Sequence, residues 1–329
     1  NKTGNSKAFS YDPKSSGSIS DNNITSFAAA DDSFLWIGTA NGLNRYHISS
    51  RTFTRFFCEK ENTNSLSDNY ITSLSYLPAE HKLWIGTRGG LNCYNTLTTK
   101  FTRYYYEPRD TNVLTDNHIT CIESFTGGIW AGTRKGLNFI SDDGKSIIRY
   151  TQADGLPVNE VTSIRSDDAG MIWVALSHGF VKIDPASRRI RTYDSDDGLK
   201  FIHLQNASAR DSNGRLYFGT NGGYFSFDPS EIEEDTLRPV TGITKFQYFA
   251  RDASGREEER MANIFSENMI MLQPDQNSIR INFSTFCYKQ TSKCIYRYRL
   301  LGLSDKWSDK SNSNTVRINN LPAGTYTFE

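Results

Sequence analysis

The chain has 329 residues, enough for a sizeable core and for more than one domain. Its 37 basic and 37 acidic residues cancel, so the charge balance points to no nucleic-acid partner, and there is no acidic tail. No apolar run is long enough to span a bilayer. The opening NKTGNSKAFS has no signal-peptide pattern, and because it starts on Asn1 an earlier segment is expected to have been removed.

In chain order, the first readable element is a short strand, Phe9-Ser10-Tyr11, which looks like the last strand of a blade whose other three are missing. A block of forty-odd residues then recurs. LWIGTANGLNRY (35–46) returns as LWIGTRGGLNCY (83–94), IWAGTRKGLNFI (129–140), IWVALSHGFVKI (172–183) and LYFGTNGGYFSF (216–227). The anchors Trp36, Trp84, Trp130, Trp173 and Tyr217 are 48, 46, 43 and 44 residues apart, a period that marks a repeat architecture. Each copy reads as two strands rich in β-branched and aromatic residues around a Gly-containing turn. Another strand runs ahead of it (24–27, 161–164) and a fourth behind it (53–57, 101–105, 147–150, 190–193). Four antiparallel strands per repeat make a propeller blade. The blades fall at about 19–65, 66–113, 114–155, 156–198 and 199–230, with the Trp anchors in the core.

The fifth blade has no clear fourth strand. Either the five blades close on themselves through residues 9–11, or they belong to a larger ring. The second reading is adopted, because the chain also stops inside a domain at its other end. The first four blades open with related loops: ISDNNIT (19–25), LSDNYIT (66–72), LTDNHIT (114–120) and LPVNEVT (156–162). Short polar side chains hold such loops by bonding their own backbone.

The pattern changes past Pro239. Strands are expected at 243–249, 278–283, 294–300, 316–318 and within 321–328, with a charged loop at 251–260. Short alternating strands with turns between them argue for a β-sandwich of immunoglobulin or fibronectin type, incomplete at Glu329. The division is 1–236 for the propeller repeats and 237–329 for the sandwich. The five cysteines form no metal or redox spacing. Cys58, Cys93 and Cys121 read as small core residues. Cys287 and Cys294 flank a turn where a disulfide would form in an oxidising compartment if the Cβ geometry allowed it.

In a blade, the loop leading into the first strand and the turn between the second and third strands open on the same face. That geometry nominates Asn23, Tyr70, His118 and Glu160 from the lead-in loops, and Asn41, Arg88, Arg134, Lys135 and His178 from the turns. They vary while their scaffold repeats, which is how loops carry recognition. Tyr offers a stacking face to a sugar, and the Arg, His and Asn side chains offer directional donors. Arg88, Arg134 and Lys135 suit a carboxylate or sulfate. A glycosidase would need two carboxylates flanking a bond. Of the nominated residues only Glu160 is acidic, so this region reads as a binding module and not an enzyme, with no metal or cofactor. A protein-interaction scaffold is the other non-enzymatic reading.

The LWIGTxxGLxRY blocks led by (L/I)(S/T)DNxIT resemble the regulator-propeller repeats of hybrid two-component sensors from gut Bacteroidetes. Asp275-Gln276-Asn277-Ser278, Tyr296-Arg297-Tyr298-Arg299-Leu300-Leu301-Gly302, Trp307 and Leu321-Pro322-Ala323-Gly324-Thr325-Tyr326 resemble the Tyr-rich sandwich that follows those propellers. The resemblance implies seven-bladed rings and a periplasmic sensor of glycan fragments held in the inner membrane. It also implies a homodimer through the sandwich and a histidine kinase that controls polysaccharide utilisation.

Overall fold

The computed structural model describes residues 8–29, 33–194, 197–199, 204–232, 240–251, 255–264, 269–285 and 294–329. They fall into two compact units, 1–233 and 234–329.

The first unit is a run of blades. Ile24–Ala29 (β1), Phe34–Thr39 (β2), Gly42–His47 (β3) and Thr52–Phe56 (β4) form the first antiparallel sheet, in sequence order. Ile71–Leu77 (β5), Lys82–Thr87 (β6), Gly90–Asn95 (β7) and Lys100–Tyr104 (β8) form the second. Ile119–Phe125 (β9), Gly128–Thr133 (β10), Gly136–Ser141 (β11) and Ile147–Tyr150 (β12) form the third. Val161–Ser166 (β13), Ile172–Leu176 (β14), Gly179–Asp184 (β15) and Arg189–Tyr193 (β16) form the fourth. The fifth sheet has three strands, Leu204–Arg210 (β17), Leu216–Thr220 (β18) and Gly223–Phe227 (β19).

The first strands pack on one another in succession: β1 on β5, β5 on β9, β9 on β13 and β13 on β17. They are therefore the inner strands of the blades. Each blade junction is a hydrophobic layer. Trp36 and Leu43 of blade 1 meet Ile71, Leu83, Ile85 and Tyr94 of blade 2, and the other Trp anchors repeat this with the blade that follows. All four Trp side chains are buried, so each contributes a large desolvated surface. A Cβ on Gly86 would sit 2.7 Å from Ile119, and one on Gly132 would sit 2.5 Å from Val161. The repeated glycine is therefore set by the close approach of the next blade.

The outermost members of the series lack this cover. Ile24 and Phe27 occupy the positions of the buried Ile119 and Ile122, yet Phe27 is 60% exposed. Tyr224 stands where Leu43, Leu91, Leu137 and Phe180 are fully enclosed, and it is 71% exposed.

Residues 9–11 form no strand, which corrects the expectation of one. Phe9 lies against Tyr46 and Phe53, at 5.2 and 5.5 Å between ring centroids. Phe56 lies in the same way against Tyr94 and Phe101 of the following blade. The Tyr11 N–H donates to Asn22 Oδ1 at 2.7 Å, as the Cys58 N–H does to Asn69 Oδ1 at 2.6 Å. Residues 9–11 thus take the place of a preceding blade's tail beside blade 1. They do not pair with β19, which is an edge strand among the described residues. Closure of five blades through residues 9–11 is overturned.

In the second unit, Thr241–Arg251 (β20), Glu257–Ala262 (β21), Ser278–Thr285 (β22) and Thr315–Ile318 (β24) form a sheet ordered β21-β20-β22-β24. Leu300–Leu301 (β23) and Thr327–Phe328 (β25) form a small second sheet. Alternate residues of β22 (Ile279, Ile281 and Phe283) are buried with Val316, under Tyr296, Tyr298 and Phe328. Two expectations are corrected. Part of the charged 251–260 segment is the edge strand β21. Residues 294–300 are not a continuous strand: Tyr296 makes an isolated bridge to Ser311, and only Leu300 enters a ladder. Cys287 lies outside the described residues, and with it the expected hairpin disulfide.

Candidate functional site

One face of the propeller is built by a buried polar clamp that recurs in three blades. In blade 3, Asn138 Oδ1 accepts from the Thr115 N–H at 2.9 Å, and Asn138 Nδ2 donates to Thr115 Oγ1 at 3.0 Å and to the Ala131 carbonyl at 3.2 Å. Thr115 Oγ1 also bonds Thr133 Oγ1, which donates to the Gly136 carbonyl. Ser20, Thr39 and Asn44 repeat the set in blade 1, and Ser67, Thr87 and Asn92 repeat it in blade 2. Asn44, Asn92 and Asn138 are fully buried, where an unpaired amide would be costly. The clamp ties the lead-in loop to the turn between the second and third strands.

That turn has two central residues, and its positive φ falls on the glycine after them: +114° at Gly42, +144° at Gly90 and +149° at Gly136. Asp21 and Asp68 cap their own loops by accepting from the N–H of Asn23 and Tyr70, and Asp116 accepts from the N–H of Asn117. These carboxylates are scaffold, as the sequence suggests.

Blade 4 replaces the clamp as a unit. Pro157, Leu176 and Val181 stand where blade 3 has Thr115, Thr133 and Asn138. Leu176 and Val181 are fully buried. Pro157 has no N–H to satisfy, so an apolar plug substitutes for the polar one without leaving an orphan donor.

The clamps hold the nominated side chains where the inner strands begin. The Arg88 N–H donates to the Tyr70 carbonyl at 3.3 Å, and the Arg88 guanidinium lies 3.5 Å from the Tyr70 ring centroid. One face of Tyr70 is thus taken by Arg88, not left for a sugar. The stack holds the guanidinium plane and leaves its N–H edge for an acceptor. His118 is half-buried beside this pair. Burial, with the charges of Arg134 and Arg88, holds its imidazolium below the ordinary range, against the opposite pull of Asp116 and Glu160. Tyr70, Arg88, His118, Arg134 and Glu160, from three successive blades, therefore share one electrostatic neighbourhood. Arg88, Arg134 and Glu160 are exposed, and none forms an ion pair among the described residues.

The other nominated residues stand apart. Arg88 and Arg134 hold the first position of their turns, whereas Asn41, Lys135 and His178 hold the second. The Lys135 ammonium lies 5.8 Å from the Tyr106 ring centroid. His178, Asn23 and Asn41 are exposed. Sequence reasoning missed the clamp asparagines. The signal was the Asn of GLN (42–44, 90–92, 136–138), which is lost in the same blade that loses its Ser/Thr-Asp. It also missed a brace on the inner strands: Arg165 Nη1 donates to Glu123 Oε2 at 2.8 Å, and Arg165 Nη2 donates to the Ser208 carbonyl at 2.7 Å, joining blades 3, 4 and 5.

Residues 18–41 match the two component regulator propeller family, and residues 287–329 match the Y_Y_Y domain. It is 27% identical over 306 residues to Histidine kinase P4 of Formosa agariphila, covering 91% of this chain and 22% of the relative. It is 26% identical, with a TM-score of 0.77, to the extracellular domain of a hybrid two component system of B. thetaiotaomicron, covering 93% of this chain and 41% of that one. The extracellular domain of a one component system of the same organism shares the fold, at 21% identity and a TM-score of 0.55 over 93% of this chain and 53% of that one. The chain thus spans about a fifth of the curated relative and under half of the first solved one. It is similar to the sensor-like extracellular domains of two-component histidine kinase systems. No helix among the described residues is long and apolar enough to cross a membrane.

Proposed function

We propose that this region senses a glycan-derived oligosaccharide carrying an acidic group, bound where the inner strands of blades 2, 3 and 4 begin. The supporting observation is the convergence of Arg88, His118, Arg134 and Glu160 on one face, with Arg88 held flat on Tyr70. A guanidinium fixed in this way presents paired donors to a carboxylate or sulfate. Glu160 supplies an acceptor for sugar hydroxyls.

In this reading the region lies in the periplasm as part of an inner-membrane protein. It pairs with a second copy through the Y_Y_Y unit and relays occupancy to a histidine kinase controlling polysaccharide utilisation. The ligand acts by binding one arrangement of the protein more tightly than another, since only differential affinity shifts such an equilibrium.

The test is a thermal-shift panel of acidic and neutral oligosaccharides. A saturating rise with an acidic glycan, lost in Arg88→Ala and Arg134→Ala, supports the reading. A rise that survives both substitutions moves the site elsewhere. No rise with any glycan favours a protein partner.

A further inference from the structure

A second basic surface lies away from the Arg88 cluster, at the outer edge of the junction between blades 3 and 4. A cavity of about 810 Å3 runs beside β12, the edge strand of blade 3, and is lined by Tyr106, Lys135, Arg149, Asp154 and Arg188 among others. Three cations face it against one carboxylate. Asp154 Oδ2 accepts from the Thr151 N–H and Oγ1, both at 2.9 Å, and the carboxylate keeps its charge, so the lining carries an excess of two cations.

Comparison between blades shows that Arg149 is available. In blade 1 the corresponding Arg55 spends its guanidinium inside the protein, Nε on the Ser18 carbonyl at 2.6 Å and Nη2 on the Ser15 carbonyl at 2.5 Å. In blade 2 Arg103 does the same, Nε on the Ser65 carbonyl at 2.7 Å and Nη2 on the Asn62 carbonyl and Ser65 Oγ, both at 2.6 Å. In blade 3 Val113 stands in place of Ser18 and Ser65, which removes the hydroxyl partner of Nη2 but not the carbonyl that Nε uses in the other two blades. Arg149 keeps a single 3.3 Å bond, from Nη1 to the Asp110 carbonyl. Its Nε and Nη2 have no partner among the described residues. Arg188 reaches the same cavity from the turn between β15 and β16, and its side chain forms no ion pair among the described residues. Lys135 also lines it, with its ammonium 5.8 Å from the Tyr106 ring centroid.

The geometry points to an oxyanion-binding groove in which Lys135, Arg149 and Arg188 hold the sulfate ester or carboxylate of a small organic anion. This site is separate from the Arg88 cluster and stands or falls without it. The donors suit such a group because guanidinium pairs match the oxygens of planar or tetrahedral oxyanions.

Arginine Nε–Hε resonances of the chain, assigned with Arg149→Gln and Arg188→Gln, test the groove in titrations at constant ionic strength. The probes are inorganic sulfate, methyl sulfate and glucuronate. The expected result is a saturating shift at Arg149 and Arg188 at least fivefold larger than at Arg55 and Arg103, whose Nε donors are already bonded. In Arg188→Gln the Arg149 shift should need at least threefold more anion to reach its midpoint. A small, non-saturating drift shared by all four arginines overturns the proposal, as does saturation confined to Arg88 and Arg134. Saturation by inorganic sulfate, with none by methyl sulfate or glucuronate, overturns the assignment to an organic anion.

Discussion

Replacing Asn138 by Val isolates the clamp that positions the candidate site. Asn138 is fully buried and makes three hydrogen bonds, of 2.9, 3.0 and 3.2 Å. Thr115 Oγ1 keeps its bond to Thr133, but the Thr115 N–H and the Ala131 carbonyl lose the amide. Stranding two buried polar groups costs about 1–3 kcal/mol each, partly offset by the carbon that replaces the amide, so the single substitution is expected to cost about 2–4 kcal/mol. At roughly 2–4 °C per kcal/mol for a unit of this size, Tm should fall by roughly 4–16 °C, read by tryptophan fluorescence. Blade 4 supplies the compensation. Thr115→Pro removes the orphaned donor, and Thr133→Leu fills the space with carbon, as Pro157 and Leu176 do natively. The triple variant should therefore recover at least half of the loss, a non-additivity expected of residues in one network. A single variant that melts within 1 °C of the wild type, or a triple variant as unstable as the sum of its parts, would refute the reasoning.

Arg165→Ala should destabilise the propeller by about 1–3 kcal/mol in urea titration, because Glu123 loses its partly buried partner. A loss of solvent-exposed size, under about 0.5 kcal/mol, would show the brace to be inert. His118 gives a pH signature. Its folded pKa is depressed below the ordinary histidine value of 6.5, so the unfolded chain binds the proton more readily. Its contribution to stability is complete above pH 6.5 and declines as pH falls below it, towards the depressed folded value. His118→Gln should flatten that segment of a Tm–pH curve, and an unchanged curve would contradict the assignment. Burial pushes the Cys93 and Cys121 thiols up to about 11 and about 12. Iodoacetamide at pH 8 should leave both unlabelled in the folded protein and label both in urea. Labelling of either without denaturant would contradict the packing.

The blades were legible because one strong signal repeats. The Trp anchors recur at a steady period, and the same hydrophobic junction buries all four. The second unit was harder to read. Alternation at 294–300 correctly separates exposed Ile295 and Arg297 from the more covered Tyr296 and Tyr298, but it fixes only which side faces the core. Whether another strand lies alongside depends on distant residues, and there Tyr296 finds only the bridge to Ser311. The 257–262 strand was hidden for the opposite reason: an edge strand with exposed charges carries no apolar alternation. At the site, the face and its residue types were readable. The pairing of Arg88 with Tyr70 was not, nor the separation of Lys135 from Arg134, because neighbouring turn residues diverge in ways spacing does not encode. Val113 breaks the serine pattern of Ser18 and Ser65, which announces the loss of one Nη2 bond of Arg149, but the loss of the Nε bond to a backbone carbonyl is not written in the side chains.

The central claim is that the Arg88 cluster holds an acidic glycan. Titration calorimetry tests it most directly, using the glycan that gives the largest thermal shift against wild type, Arg88→Ala and Arg134→Ala. The account predicts at least tenfold weaker binding for each variant, about 1.4 kcal/mol or more, with Tm in the absence of ligand unchanged. Wild-type affinity in both variants would contradict it.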